Sequence, residues 1–350
     1  MRVVVLGGTK FMGPHAVRRI AAAGHQVLVV HRGQSDGNLP PSVGHLLRDI
    51  GPIGFRRFDE GLRRELRAVR PDVVLDMIAM SEGDAREAMD TFRGVAGRII
   101  GASSADVYLA YGRLIGAEPG DPIPVPLNED ARLRERLYPF RNDPPNDPPG
   151  FGDVYDKILV ERVMLGDPDL PGTVLRLPVV FGPGDGQHRT FPYLKRMDDR
   201  RPAILLEART AAQRMTRTYV ADAGAAIAAC VLDPTSVGKV YNVGERTALA
   251  EADWVRAIAS AAGWRGEIVI TPDGTLGGEP KNIGQDLVLN SAQIRADLGV
   301  MSETPRIEAL RATIAWERAN PPRQVNLAQF DYEAENALLA RLRRPGTPAR

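Results

Sequence analysis

Val3-Val4-Val5-Leu6-Gly7-Gly8-Thr9-Lys10-Phe11-Met12-Gly13-Pro14 follows directly on Met1-Arg2 at the start of the chain. Four consecutive apolar residues ending in paired glycines predict a strand buried on both faces. Pro14 suits the first turn of a helix, and Val17, Ile20 and Ala21 supply the stripe that packs that helix on a sheet. Gly24 ends it, and Val27 to Val30 form a second apolar strand. Gly7 permits the tight turn, and Gly13 permits close helix–strand packing. The helix N-terminus offers free N–H groups to a pyrophosphate. A glycine triplet alone is weak evidence. Placed after a strand, before a helix and inside a βαβ unit of about thirty residues, it predicts dinucleotide binding.

The alternation continues outward from this unit. His45 to Leu47 predicts a third strand. Leu62, Leu66 and Val69 mark a helix, and Val73 to Leu75 a fourth strand. A helix over Ala85 to Phe92 precedes a strand from Arg98 to Ala102. Strands and helices alternating at this length predict a Rossmann-type doubly wound α/β fold, a parallel sheet with helices on both faces. Further on come a helix from Asp153 to Leu165 and a strand from Thr173 to Leu177. Residues 1–180 are thus expected to be mainly the dinucleotide-binding domain.

Residues 117–150 change texture. They hold Pro122-Ile-Pro-Val-Pro126 and Asp143-Pro-Pro-Asn-Asp-Pro-Pro149, and so long a loop is expected to be a functional lid or a flexible segment. Residues 181–325 are expected to be mainly a smaller α/β substrate-binding part, some of it returning to the first domain. Residues 326–350 make a polar C-terminal helix, expected to pack on a partner or fray, and a tail disordered from Pro345.

The 350 residues are 43% hydrophobic and 25% charged with a net charge of +1, an ordinary globular balance. Near-neutral charge argues against nucleic acid or an anionic membrane as a main partner. No apolar run approaches the roughly 18 residues of a membrane span, and no signal segment opens the chain, so a cytoplasmic protein is expected. The single cysteine, Cys230, reads as a buried small hydrophobe. The histidines show no metal-ligand spacing, and no metal is expected.

Two departures in the glycine motif bear on the nucleotide. Lys10 replaces its middle glycine, and His31-Arg32 ends the second strand where an acidic residue would accept bonds from a ribose 2′-OH. Lys10 and Arg32 suit a 2′-phosphate instead, so NADP is expected over NAD.

From these residues onward the chain resembles the extended short-chain dehydrogenase/reductase superfamily, the NAD-dependent epimerase/dehydratase group. The resemblance covers roughly residues 1–320. It adds Thr9, Phe11, Met12, Asp49 with Ile50, Ala79, Pro178 and Val180 to the expected cofactor contacts of Gly7, Lys10, Gly13, His31 and Arg32. Ser103-Ser104-Ala105-Asp106-Val107-Tyr108 resembles the segment bearing the catalytic Ser/Thr, by position Ser104. Lys157 with Glu161 resembles the helix of the active-site lysine. Arg217-Thr-Tyr-Val-Ala-Asp222 and Tyr241-Asn-Val-Gly244 match two further family elements. The basic glycine turn resembles an atypical branch that includes the chloroplast stem-loop RNA-binding proteins.

The resemblance implies an NAD(P)-dependent oxidoreductase or epimerase, a hydroxyl or carbonyl substrate such as a nucleotide sugar, and a homodimer. It also implies a tyrosine four residues before the lysine, on one helix face, to exchange a proton with the substrate. That position holds Asp153. Tyr155 lies two before Lys157, about 200° around an ideal helix. Tyr155 could supply the acid if Asp153 to Tyr155 precede the first regular turn; Asp153 or Tyr108 are the alternatives. Asp106 occupies the base position of the family's dehydratases, but its neighbour Ala105 lacks the companion acid. Tyr108, His188, Arg189 and Arg217 are the expected substrate contacts. The competing reading is a catalytically incomplete dinucleotide-binding protein, a cofactor sensor or an RNA-binding relative.

Overall fold

A computed structural model describes residues 1–141, 148–276, 284–300 and 304–343. Strands β1 (Arg2–Leu6), β2 (Gln26–His31), β3 (Gly44–Leu47), β4 (Val73–Asp76), β5 (Arg98–Ser104) and β6 (Gly172–Leu177) pair in parallel in the order 3-2-1-4-5-6. The strand Val240–Asn242 adds itself beside β6. Helices α1 (Met12–Ala22), α2 (Glu60–Val69) and α3 (Glu82–Phe92) make the crossovers.

The two-residue period of β1 sets the layers. Val3 and Val5 face Val17 and Ile20 of α1 and Ile227 of the helix Val220–Leu232. Val4 and Leu6 face Leu62, Leu66, Met89 and Phe92 on the other side. Both sets are almost fully buried, and each large apolar side chain so removed from water stabilises by roughly 1.5–3 kcal/mol. The strand order reverses between β1 and β4, which opens a crevice at their carboxyl ends.

The predicted helix from Asp153 to Leu165 is two helices. The short α5 (Phe151–Val154) stops, Tyr155 and Asp156 run extended at φ −67° and −161°, and α6 (Lys157–Leu165) starts afresh. The Asp156 carboxylate caps α6 by accepting the Ile158 N–H at 2.9 Å.

The Pro-rich segment differs from the expected free cover over its described part, 117–141; residues 142–147 lie outside the described residues, as does the tail from 344. Glu118 accepts the backbone N–H groups of Glu135 and Arg136 at 2.9 and 2.8 Å. Leu127 exchanges backbone bonds with Val288 and Asn290. Burial of Arg134 completes the attachment.

In the second half, Ala203–Glu207 pairs in parallel with Glu267–Thr271. Helices Glu251–Ala262 and Arg306–Ala319 close a separate apolar cluster around Trp254, Ile258 and Leu310. The final helix, Tyr332–Leu342, packs on this same chain. Leu338 and Leu339 pack on Ala203 and Leu205, and Glu335 pairs with Arg196 at 2.8 Å. Among the described residues no helix is long and apolar enough to cross a membrane.

Candidate active site

The crevice above β1 and β4 is a cavity of about 380 Å³. Gly7 and Gly8 turn the chain out of β1 with φ of +85° and +93°, a region an L side chain enters only at a cost. A Cβ on Gly13 would stand 2.4 Å from the Gly8 Cα. Gly13→Ala is therefore expected to push α1 off the turn, lowering stability by about 1–3 kcal/mol and weakening dinucleotide binding, as denaturant melts and calorimetric titration would show. Helix α1 has no side-chain cap and no acid in its first turn; the Gly13 N–H donates to the Lys10 carbonyl at 3.0 Å, and no acidic side chain of that turn offsets the positive end of the dipole at the crevice.

Of the residues expected to contact the cofactor, Gly7, Thr9, Lys10, Phe11, Met12, His31, Arg32 and Ile50 line this cavity. Asp49 does not. Its exposed carboxylate accepts the Gly51 N–H at 3.1 Å and shapes the turn that presents Ile50. Ala79 is buried between two wall residues, Ile78 and Met80. Pro178 and Val180 lie off the lining, with Val180 packed in the core.

Beyond the cavity, β5 and the α5–α6 break bring four predicted residues together. Tyr155 donates its phenol proton to Asp106 Oδ2 at 2.5 Å. Ser104 Oγ accepts the Asp106 N–H at 3.2 Å, and its hydroxyl adjoins Tyr155. Lys157 Nζ donates to the carbonyls of Ala79 and Ala102 at 2.6 and 2.9 Å.

The helix break explains why the two-residue spacing works. Four helical residues advance about 6 Å, and two extended residues advance about the same. In extended chain, residues two apart also point to one side. Tyr155 and Lys157 thereby reach one cluster without a shared helix. Phe140 and Phe151 flank the Tyr155 ring at centroid distances of 5.1 and 5.2 Å.

Burial dominates the electrostatics. It pushes the Asp106 carboxyl above its usual range, against the bond from Tyr155 and the charges of Arg134 and Lys157. Tyr155 is raised well above the ordinary phenol value by burial and by the Asp106 charge. Burial lowers Lys157 to about 8, with Asp106 and Asp76 opposing the shift.

The remaining candidates stand elsewhere. Asp153, weighed above as the acid, is on α5 with its side chain 66% exposed and 3.7 Å from Arg141. It is outside the cluster. Tyr108, weighed both as an acid and as a substrate contact, is wholly buried between Asn242 Oδ1 at 2.7 Å and Arg176 at 2.9 Å. His188 bonds Glu317 at 2.8 Å and stacks on Trp316. Arg189 pairs with Asp185 at 2.7 Å. Arg217 pairs with Glu251 and lies over Trp254. All four have protein partners, and the structure does not bring them to the Ser104 cluster.

Two buried arginines were not anticipated. Arg56 lines the cavity and forms a two-pronged pair with Asp76 at 2.5 and 2.8 Å, at the end of β4. Its backbone N–H donates to Asp84 Oδ1 at 2.8 Å. Arg134 donates to the Asp106 carbonyl and to Asp156 Oδ1, joining the end of β5 to the start of α6. A signal existed for the first: an acid ending an apolar strand is buried and needs a cation. Among the described residues no cluster of His, Cys, Asp or Glu is arranged to hold a metal.

No protein-family model matches the chain. It is 28% identical over 271 residues to a 2′-dehydrokanamycin reductase of Streptomyces kanamyceticus, spanning 75% of this chain and 67% of the relative. An epimerase from Methanothermobacter thermautotrophicus superposes with a TM-score of 0.66 at 18% identity, over 91% of this chain and 92% of that one. The UDP-glucuronic acid 4-epimerase of Bacillus cereus, solved with UDP-glucuronic acid and NAD, gives 0.64 at 16% identity over 91% and 99%. The resemblance read from the sequence thus holds in the fold, which is that of the NAD-dependent epimerases.

Proposed function

We propose that this chain is an NADP(H)-dependent oxidoreductase of the extended short-chain dehydrogenase type, acting on a hydroxyl or carbonyl carbon of a sugar. The convergence of Ser104, Tyr155 and Lys157 beside a glycine-turn crevice carries this reading. It favours an enzyme over the catalytically incomplete alternative. The reductase and epimerase relatives support sugar chemistry, and the resemblance implies a homodimer.

The crevice fits a dinucleotide. Its glycine turn and the bare α1 N-terminus would hold the pyrophosphate. Lys10 and Arg32 would hold a 2′-phosphate. His31 Nε2 meets His45 Nδ1 at 2.8 Å while its Nδ1 accepts the Gly33 N–H. Hence β2 ends without a carboxylate for a ribose 2′-OH. Lys157 would hold the nicotinamide ribose. The bound nicotinamide would supply or remove the hydride. Ser104 would donate to the substrate oxygen, and Tyr155 would exchange a proton with it.

Replacing Lys10 and Arg32 together by glutamate is expected to weaken NADPH binding by about 10–100-fold, the loss of charge-assisted hydrogen bonds. NADH binding should change little. Calorimetric titration of the double variant with both cofactors checks the choice, and equal losses would reverse it. Turnover is tested by following NADPH oxidation against a panel of keto sugars, nucleotide-linked and aminoglycosidic. Failure to bind either dinucleotide would overturn the function.

A further inference from the structure

Asp106 and Tyr155 form a contact that the proposed chemistry does not by itself require. Asp106 is 6% exposed, and its Oδ2 receives the phenol proton, with the Ser104 hydroxyl beside it. Oδ1 has no hydrogen-bond partner. A buried ionised carboxylate ordinarily gathers donors on both oxygens, because an unsolvated charge is costly. Here the obvious cations are otherwise engaged. Lys157 is held by two backbone carbonyls. Arg134 gives its Nε–H to the Asp106 carbonyl, leaving the carboxylate alone.

On the strength of the oxidoreductase reading, we propose that Asp106 is a positioning residue that acts through Tyr155, storing the proton that the phenol delivers to or takes from substrate. The 2.5 Å contact serves both states with no heavy-atom movement. With Asp106 ionised, Tyr155 donates to Oδ2. With Asp106 protonated, Oδ2–H donates to Tyr155 Oη, and the phenol proton is free to point at substrate.

In carbonyl reduction the substrate carbon receives a hydride from the reduced nicotinamide, and the substrate oxygen receives the Tyr155 proton. The Asp106 proton then moves to Tyr155 Oη. The products are the alcohol, the oxidised nicotinamide and an Asp106 carboxylate, which is reprotonated from solvent before the next cycle. Oxidation runs the same transfers backward. No tyrosinate is left beside a carboxylate in either direction.

The groups facing the pair are Ser104 from β5, Lys157 from α6, Arg134 from the Pro-rich segment and Tyr111 from the helix Leu109–Leu114. Lys157 and Arg134 favour the ionised carboxylate, while burial opposes it and dominates. The protonated store is therefore present below the raised Asp106 pKa and is lost as pH climbs through it.

Two measurements test the relay. In the resting protein saturated with NADPH, aspartate labelled with ¹³C at Cγ is followed by NMR across pH. One carboxyl resonance is expected to titrate above the ordinary carboxylate range, to vanish in Asp106→Asn and to shift in Tyr155→Phe. If Asp106→Asn does not fold, the Tyr155→Phe shift alone identifies the resonance. A set of aspartates that all titrate normally, or a raised one indifferent to Tyr155, overturns the relay.

With a turned-over keto sugar, Asp106→Asn should lower kcat by at least roughly tenfold, within the range of acid–base contributions. KM should hold, and the high-pH fall of the reduction profile should disappear. Turnover with an unchanged profile sinks the relay and leaves the oxidoreductase standing. No turnover by the unaltered protein sinks the oxidoreductase, while the NMR titration still decides whether the proton is shared.

Discussion

Tyr155→Phe is expected to lower kcat by about 10²–10⁴-fold, the usual contribution of a positioned general acid, with dinucleotide affinity and the overall fold retained. Only the phenol oxygen is removed, and with it the bond to Asp106 Oδ2. The ring keeps its contacts with Phe140 and Phe151. Asp106 loses the phenol donor on Oδ2 and is expected to take up a proton, so the variant should be most nearly normal in stability at low pH. Tyr108→Phe is the control. It also strips a buried hydroxyl, one bound to Asn242 and Arg176, so it should cost stability while sparing kcat. Steady-state kinetics with both variants separates the roles, and undiminished turnover by Tyr155→Phe would remove it from the chemistry.

The largest loss of stability is expected at Arg56. Its guanidinium and the Asp76 carboxylate are 3% and 0% exposed, and deleting one partner strands the other charge. Arg56→Met should therefore destabilise by about 3–5 kcal/mol, a large part of the roughly 5–15 kcal/mol that holds such a chain folded. Arg56→Lys should fail to rescue, because an ammonium cannot reproduce the two-pronged bond. Arg56→Met combined with Asp76→Leu should recover much of the loss, since no charge remains buried. Urea denaturation of the parent, Arg56→Met, Asp76→Leu and the double variant closes the cycle, and a double variant as unstable as the sum of the singles would refute the pairing.

The glycine turn was legible because everything that makes it is local. A strand, a turn and a helix lie within two dozen residues, and their periods switch where the glycines stand. Ser104 and Lys157 were legible through motif order. The route of Tyr155 to the cluster was legible only in part: a helix from Asp153 to Leu165 turns it away, and it reaches the site only if Asp153 to Tyr155 precede the first regular turn. Asp156 before Lys157-Ile-Leu-Val was the overlooked clue, a capping acid opening an apolar run. The partners of Arg56, Arg134, His188 and Arg217 were beyond reach for another reason. They lie 20, 22, 129 and 34 positions away in sequence, and only tertiary packing chooses among so many acids. His188 and Arg217, read as substrate contacts, are each already bonded to a carboxylate.

Arg134 gives that commitment a consequence for how such a protein can diversify. One side chain ties the strand bearing Asp106 to the helix bearing Lys157, and it is carried by a Pro-rich excursion. Lengthening or shortening that excursion ahead of residue 134 would slide the tie and change the spacing of proton donor and lysine. On the proposed reading, variation in the excursion and variation in turnover would be inherited together. New specificities should arise mainly downstream of the tie, where sequence can drift without retuning the reaction centre.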